Sequence, residues 1–310
     1  MAYNSVTPAT MPKMHSLVQA LWEGAPHTQW ALHHDPTCET NNTPWGIELI
    51  SPLLRSYPDS AWRDQVKAIW HFLLQRYIVS GNVNCSTHVH ISLSRGFTVS
   101  DLKSIAQAII HFEPAFEVLV PTERRGNEYA RSNWIDNPNF GYRNFSRQQS
   151  IDLVERLRTA DEVIDIMNPN QSKYFGWNFL SIKTYRTIEF RRGAVSLSAD
   201  DVLMWAELAM SFILAAVTPR HDRLQQYPAS VGGLKAFILK ASLRSSPGMH
   251  DSSLLDRLFH GIAPSAALQP TPVGRLSVEK TAKLQRKIAA DCARNPMLDV
   301  IYSAQQYGVA

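Results

Sequence analysis

The chain has 310 residues, 45% of them apolar, and a net charge of +4 from 31 Lys and Arg against 27 Asp and Glu. That length supports a sizeable core in one large domain or one and a half. The mild charge, without a long run of either sign, gives no compositional support for a nucleic-acid partner or an acidic membrane surface.

Three cysteines, Cys38, Cys85 and Cys292, show no CxxC spacing, which argues against a zinc ribbon or a disulfide framework and fits a reducing compartment. The first twenty residues contain no continuous apolar stretch of the signal-peptide kind, and no run of about 18 apolar residues occurs anywhere. The expectation is a soluble, cytoplasmic protein with no membrane partner.

In chain order, TMPKMHSLVQALWE at 10–23 predicts a short helix with Met14, Leu17, Leu21 and Trp22 on one side. Residues 30–54 read as strand, polar loop and strand, stopped by Pro52. Apolar positions recur at three to four residues over 61–79, predicting a helix capped by Asp59 or Ser60. A strand containing two histidines follows at 84–93, and then a helix opened by Ser100 or Asp101 runs to about Val120.

Residues 121–147 are polar, rich in Arg and Asn and without periodicity, the profile of a substrate or phosphate loop. A helix at about 148–166 leads to two short strands and a turn over 175–193. Ser198 or Asp200 then caps a long helix through Val217, buried despite Glu207. Two helices near 229–244 and 276–292 flank a Pro, Ala and Gly-rich linker at 261–274. The pattern is α+β or α/β, with a division into a first domain at 1–218 and a C-terminal helical subdomain at 219–310.

Three strands share one grammar. Side chains alternate between faces of a strand, so in STHVHIS His88 and His90 share a face opposite Val89 and Ile91. In GIELISP, Glu48 points away from Ile47 and Leu49. In RTIEFRRG, Thr187, Glu189 and Arg191 share a face opposite Ile188 and Phe190. A lone Glu on a strand is usually solvent-facing, His-x-His alone is a weak motif, and Arg-Arg before Gly is usually a charged strand end. The combination is what points to a site, because buried unpaired carboxylates are costly. A hard divalent cation with arginines beside it for phosphate oxygens would neutralise the set.

G-x-E-L-x-S-P at 46–52, C-x-x-H-V-H-I at 85–91, an Asn-containing strand and Y-R-T-I-E-F-R at 185–191, followed by a helix containing Trp205, together resemble the amidoligase family of the glutamine synthetase-like carboxylate–amine ligases. The resemblance covers about residues 30–217. Asp35 resembles the aspartate before the family's GxEL strand, and PTERRGNEY resembles its arginine-bearing loop. The resemblance implies an α+β fold with a curved, mostly antiparallel sheet covered by helices and a concave face that binds Mg²⁺ and ATP. It implies transfer of a γ-phosphoryl group to a carboxylate and attack by an amine, with small-molecule carboxylate and amine substrates as the partners. Carried over residue by residue, Glu48 and Glu189 would be metal ligands, and His88 or His90 would contact metal or phosphate. Arg186 and Arg191 would hold phosphates, with Arg124 and Arg125 on the loop.

Relatives usually open with a G-x-E-x-E strand, whereas here no acid precedes Glu23; the expectation is either a shortened chain or a reduced metal cage. Three further readings follow. One is a repurposed scaffold in which His88, His90, Glu48 and Glu189 do nucleotide-independent acid–base chemistry. Another is a non-catalytic binding module, and the third a zinc hydrolase using His88, His90 and Glu48. Glu189→Gln and His88→Ala are expected to abolish activity with little effect on folding, and Tyr185 and Trp177 to be structural.

Overall fold

The computed structural model describes residues 28–35, 38, 46–218, 224–242, 251–270, 272, 277–279 and 281–289. The helix expected over 10–23 and Cys292 lie outside these residues. In chain order the elements are β1 (Ala31–His34), β2 (Ile47–Ile50), α1 (Trp62–Arg76), β3 (Ser86–Ile91), α2 (Val99–Leu119), α3 (Arg147–Glu155), α4 (Ala160–Met167), β4 (Trp177–Asn178), α5 (Ser181–Tyr185), β5 (Ile188–Ala194), α6 (Ala199–Val217), α7 (Val231–Ser242) and α8 (Ser252–Phe259). The class is α+β: helices with two small sheets, β1 paired with β2, and β3, β5 and β4 in that order. No helix among the described residues is long and apolar enough to cross a membrane.

The chain forms two compact units. The first comprises Met1–Thr87, Ala194–Glu207 and Ser245–Arg257. In it β1 and β2 pair antiparallel with His33 opposite Glu48. Helix α1 buries Trp62, Val66, Trp70 and Leu73, a stripe at three- and four-residue spacing. Arg63, on the same helix, donates through Nε to the fully buried Glu207 at 2.8 Å. The cap of α1 differs from expectation. Its N-cap is Ala61, without a side-chain bond, because the Ser60 hydroxyl donates instead to the Tyr57 carbonyl at 2.7 Å and closes the preceding turn, in which Asp59 sits at φ 61°.

The second unit comprises His88–Gly193, Leu208–Arg244 and Leu258–Ala310. Its core is aromatic: Phe112 and Phe116 of α2, Trp177 of β4, Phe190 of β5 and Phe212 of α6 are each at most 2% exposed. Trp177 lies 4.8 Å from Phe190 and 5.2 Å from Phe212, while Phe116 lies 5.0 Å from Phe212, ring centre to ring centre. Each such ring contributes about 1.5–3 kcal/mol by leaving water. Helix α2 begins with a capping box, Thr98 bonded to the Asp101 amide and Asp101 back to Thr98. The cap is therefore Thr98, with Asp101 at the third helical position, where Arg95 also grips its carboxylate at 2.6 Å.

Strand β5 is buried on both faces, and its alternation sets out two ionic networks. Phe190 and Arg192 turn toward α2, where Arg192 pairs with Glu113 and lies 3.2 Å from Glu117. Glu189 and Arg191 turn the other way. The turn between β4 and β5 is helical, with α5 ending at Arg186 in the left-handed conformation, φ 56°. The loop over 121–147 is held by carboxamides. The wholly buried Asn133 accepts the Trp177 amide at 2.8 Å and donates to its carbonyl at 2.8 Å, replacing a strand neighbour.

Candidate functional site

Glu189 is the second residue of β5, opposite Asn178 of β4. The antiparallel register puts the Asn178 carboxamide beside it, and Nδ2 donates to Glu189 Oε2 at 2.7 Å, with the Ser181 hydroxyl 3.5 Å from the same oxygen. The other oxygen, Oε1, accepts from Arg191 Nη1 at 2.5 Å, two residues along the same strand face. From β3 come both imidazoles, His88 Nδ1 at 3.4 Å and His90 Nε2 at 3.6 Å from Oε1. His90 is oriented from behind by a 2.9 Å bond between Nδ1 and the Thr187 hydroxyl, and its ring meets Tyr185 edge-on at 5.8 Å.

The electrostatics follow from this crowding. Burial alone pushes the Glu189 carboxyl upward, but the Arg191 charge, the two imidazoles and the Asn178 bond outweigh it, and its pKa is held well below the usual carboxylate range. His88 moves down to about 3, because burial of the ring against the cluster and then the Arg191 charge disfavour its cation more than Glu189 favours it. His88 is therefore neutral at physiological pH, while its side chain keeps 31% of its surface accessible.

The remaining sequence candidates separate. Arg191 joins the cluster, and its Nε lies 3.4 Å from the Tyr129 carbonyl. Arg124 is buried and lines a small neighbouring cleft with Glu117, Gly126 and Arg192. Arg125 is committed to backbone, donating to the carbonyls of Glu117, Val118 and Val120 at 3.2–3.4 Å at the end of α2. Arg186 is the exposed C-cap of α5. Glu48 belongs to the first unit, exposed on β2. Of the two aromatics expected to be structural, Trp177 is fully buried core, whereas Tyr185 is 44% exposed beside His90.

The donor set decides which ligand class suits the second unit. Both Glu189 oxygens already accept strong hydrogen bonds, and among the described residues no three His, Cys, Asp or Glu side chains converge as metal ligands. A hard divalent cation prefers about six oxygens, of which Glu189 supplies two, both engaged by hydrogen-bond donors in this arrangement. An anionic group fits better, since Arg191 presents N–H donors and two imidazoles stand beside the same ion-paired carboxylate.

Sequence reasoning placed Thr187 on the Glu189 face but missed its bond to His90, the pairing of Asn178 with Glu189 and the Arg192 network. The last left a signal, because Glu113 and Glu117 stand four apart in the mostly apolar second half of α2. The Asn-containing strand reads as a motif, but the place of Asn178 beside Glu189 needs the β4–β5 register. Compared with known proteins, residues 16–213 match the model of the family described as "putative amidoligase enzyme". No curated protein and no solved structure matches the chain.

Proposed function

The chain belongs to the amidoligase family, and from that premise we propose that it joins a small-molecule carboxylate to an amine. ATP, when bound, supplies the phosphoryl group that converts the carboxylate into an acyl phosphate, whose phosphate leaves as the amine forms the C–N bond. The observation that supports this reading is the cluster in which Glu189 fixes Arg191 while His88 stays uncharged.

Each residue has a distinct part. Arg191 offers a fixed cation to charge developing on oxygen, and Glu189 holds the guanidinium in place so that little reorganisation is needed. His88, neutral and part exposed, donates or accepts one hydrogen bond without adding charge. His90, steered by Thr187, provides a second imidazole on the same face.

The test incubates the full chain with ATP, magnesium salt and pools of carboxylates and amines, and follows ADP, phosphate and amide by chromatography. Amide formed in step with ADP is the expected result; no ATP consumption with any pool sinks the reading. A second reading, proton transfer without nucleotide, is favoured by the two imidazoles of β3 that face one carboxylate. It is supported instead if conversion persists when ATP is omitted.

A further inference from the structure

Two thiols meet in the first unit, outside the Glu189 cluster. Cys38 and Cys85 both belong to that unit, both are half-buried, and neither is in a disulfide. Each closes a turn of the same kind. The Cys38 amide donates to the Asp35 carbonyl at 3.2 Å, and the Cys85 amide to the Asn82 carbonyl at 3.0 Å. Each thiol then turns back to the side chain that opens its turn, Cys38 Sγ donating to Asp35 Oδ2 at 3.6 Å and Cys85 Sγ to Asn82 Oδ1 at 3.7 Å. Asn82 joins the two turns, because its Nδ2 donates to the Cys38 carbonyl at 3.1 Å. The two cysteine side chains also hydrogen-bond each other. That bond is the main reason why the Cys85 thiol is lowered from 9.0 to about 6, against the opposing pull of burial and of the Asp35 charge.

Among the described residues no three His, Cys, Asp or Glu side chains converge as metal ligands, so the pair lacks the donor set of a zinc site. Thiol–disulfide exchange asks for less: an attacking thiolate, access to it, and a second thiol within reach. We infer that Cys38 and Cys85 form a thiol–disulfide exchange site whose co-substrate is a low-molecular-weight disulfide of the glutathione class. The Cys85 thiolate attacks one sulfur of that disulfide, forming a mixed disulfide and releasing the other sulfur as a thiolate. The Cys38 sulfur then attacks Cys85 Sγ, the mixed disulfide breaks, and the Cys38 proton passes to the departing sulfur. In sum the protein loses two thiol hydrogens and gains one S–S bond, and the small disulfide is reduced to two thiols. The new bond ties the turn after β1 to the turn before β3. Half-exposed bonds of this kind are the reducible, redox-sensing ones rather than permanent staples.

The experiment incubates the full chain, as Cys292→Ser to remove the third cysteine, with mixtures of reduced and oxidised glutathione at pH 7. Acid quenching, thiol titration under denaturing conditions and peptide mass spectrometry then read the products. The expected result is loss of both thiols, an internal Cys38–Cys85 bond with no glutathione retained, and full recovery of the thiols in dithiothreitol. Adding Cys38→Ser should stop the reaction with glutathione held on Cys85. Adding Cys85→Ser instead should slow reaction with oxidised glutathione about fourfold, since the thiolate fraction of Cys85 outweighs its lower nucleophilicity. Thiols that persist at every mixture, glutathione retained on Cys85 while Cys38 stays reduced, or an equal yield of the internal bond from urea-unfolded chain would overturn the site. The last comparison needs no cysteine variant beyond Cys292→Ser, so it stands even where a further serine disturbs folding.

Discussion

Glu189 is 5% exposed and keeps its charge because Arg191, Asn178 and two imidazoles surround it. The sequence reading expects Glu189→Gln to fold like wild type; the burial changes that. Removing one member of a buried ion pair strands the other, at a cost of about 3–5 kcal/mol. Urea unfolding should show that loss in Glu189→Gln and a smaller one in Glu189→Gln/Arg191→Met, where no charge is left stranded. A single mutant as stable as wild type would mean that the pair is solvated. His88 gives a pH prediction. Its folded pKa, about 3, lies below the ordinary value of 6.5. Between these limits the unfolded chain binds the extra proton, so stability falls as pH drops from about 6.5 toward 3. His88→Gln should shallow that acid limb by up to about 1.4 kcal/mol per pH unit, read from urea midpoints at pH 4 to 6.5. The facing pair His88 and His90 and the facing pair Glu189 and Arg191 were legible because a strand has period two. Asn178 was not, because cross-strand neighbours depend on register.

At the scale of elements, short-range grammar carried far and long-range pairing did not. The strands around Glu48, the histidines and Glu189 form where the alternation places them, and α2 ends at Leu119, close to the expected Val120. The segment between β4 and β5 is a helical turn, since Arg186 adopts a left-handed cap that pattern reading does not reveal in a non-glycine residue. The 121–147 loop read as polar because its asparagines look solvated in one dimension. In three dimensions Asn133 is wholly buried and stands in for a missing strand partner of Trp177. Asn133→Leu keeps the volume but orphans one N–H and one carbonyl, and should cost about 2–4 kcal/mol. Thermal or urea denaturation checks this, and a change within about 0.5 kcal/mol would show that water replaces the carboxamide.

For the molecule as a whole, the family was readable from four ordered motifs, whereas the division into two units was not. Each unit gathers stretches far apart in sequence, such as Ala194–Glu207 with the chain up to Thr87, and one-dimensional composition holds no record of such returns. The same limit hid the meeting of Cys38 and Cys85, whose spacing in the chain shows no motif. Strand β5 shows how firmly the second unit is nevertheless specified. Consecutive arginines, Arg191 and Arg192, answer carboxylates on opposite sides of one ribbon. Sliding that ribbon by a single position would point each guanidinium at the other's vacated slot and turn Phe190 out of the aromatic core. The strand thus works as a double-bitted key, which seats in one alignment only and so carries the Glu189 and Arg191 face into place whenever the core closes correctly.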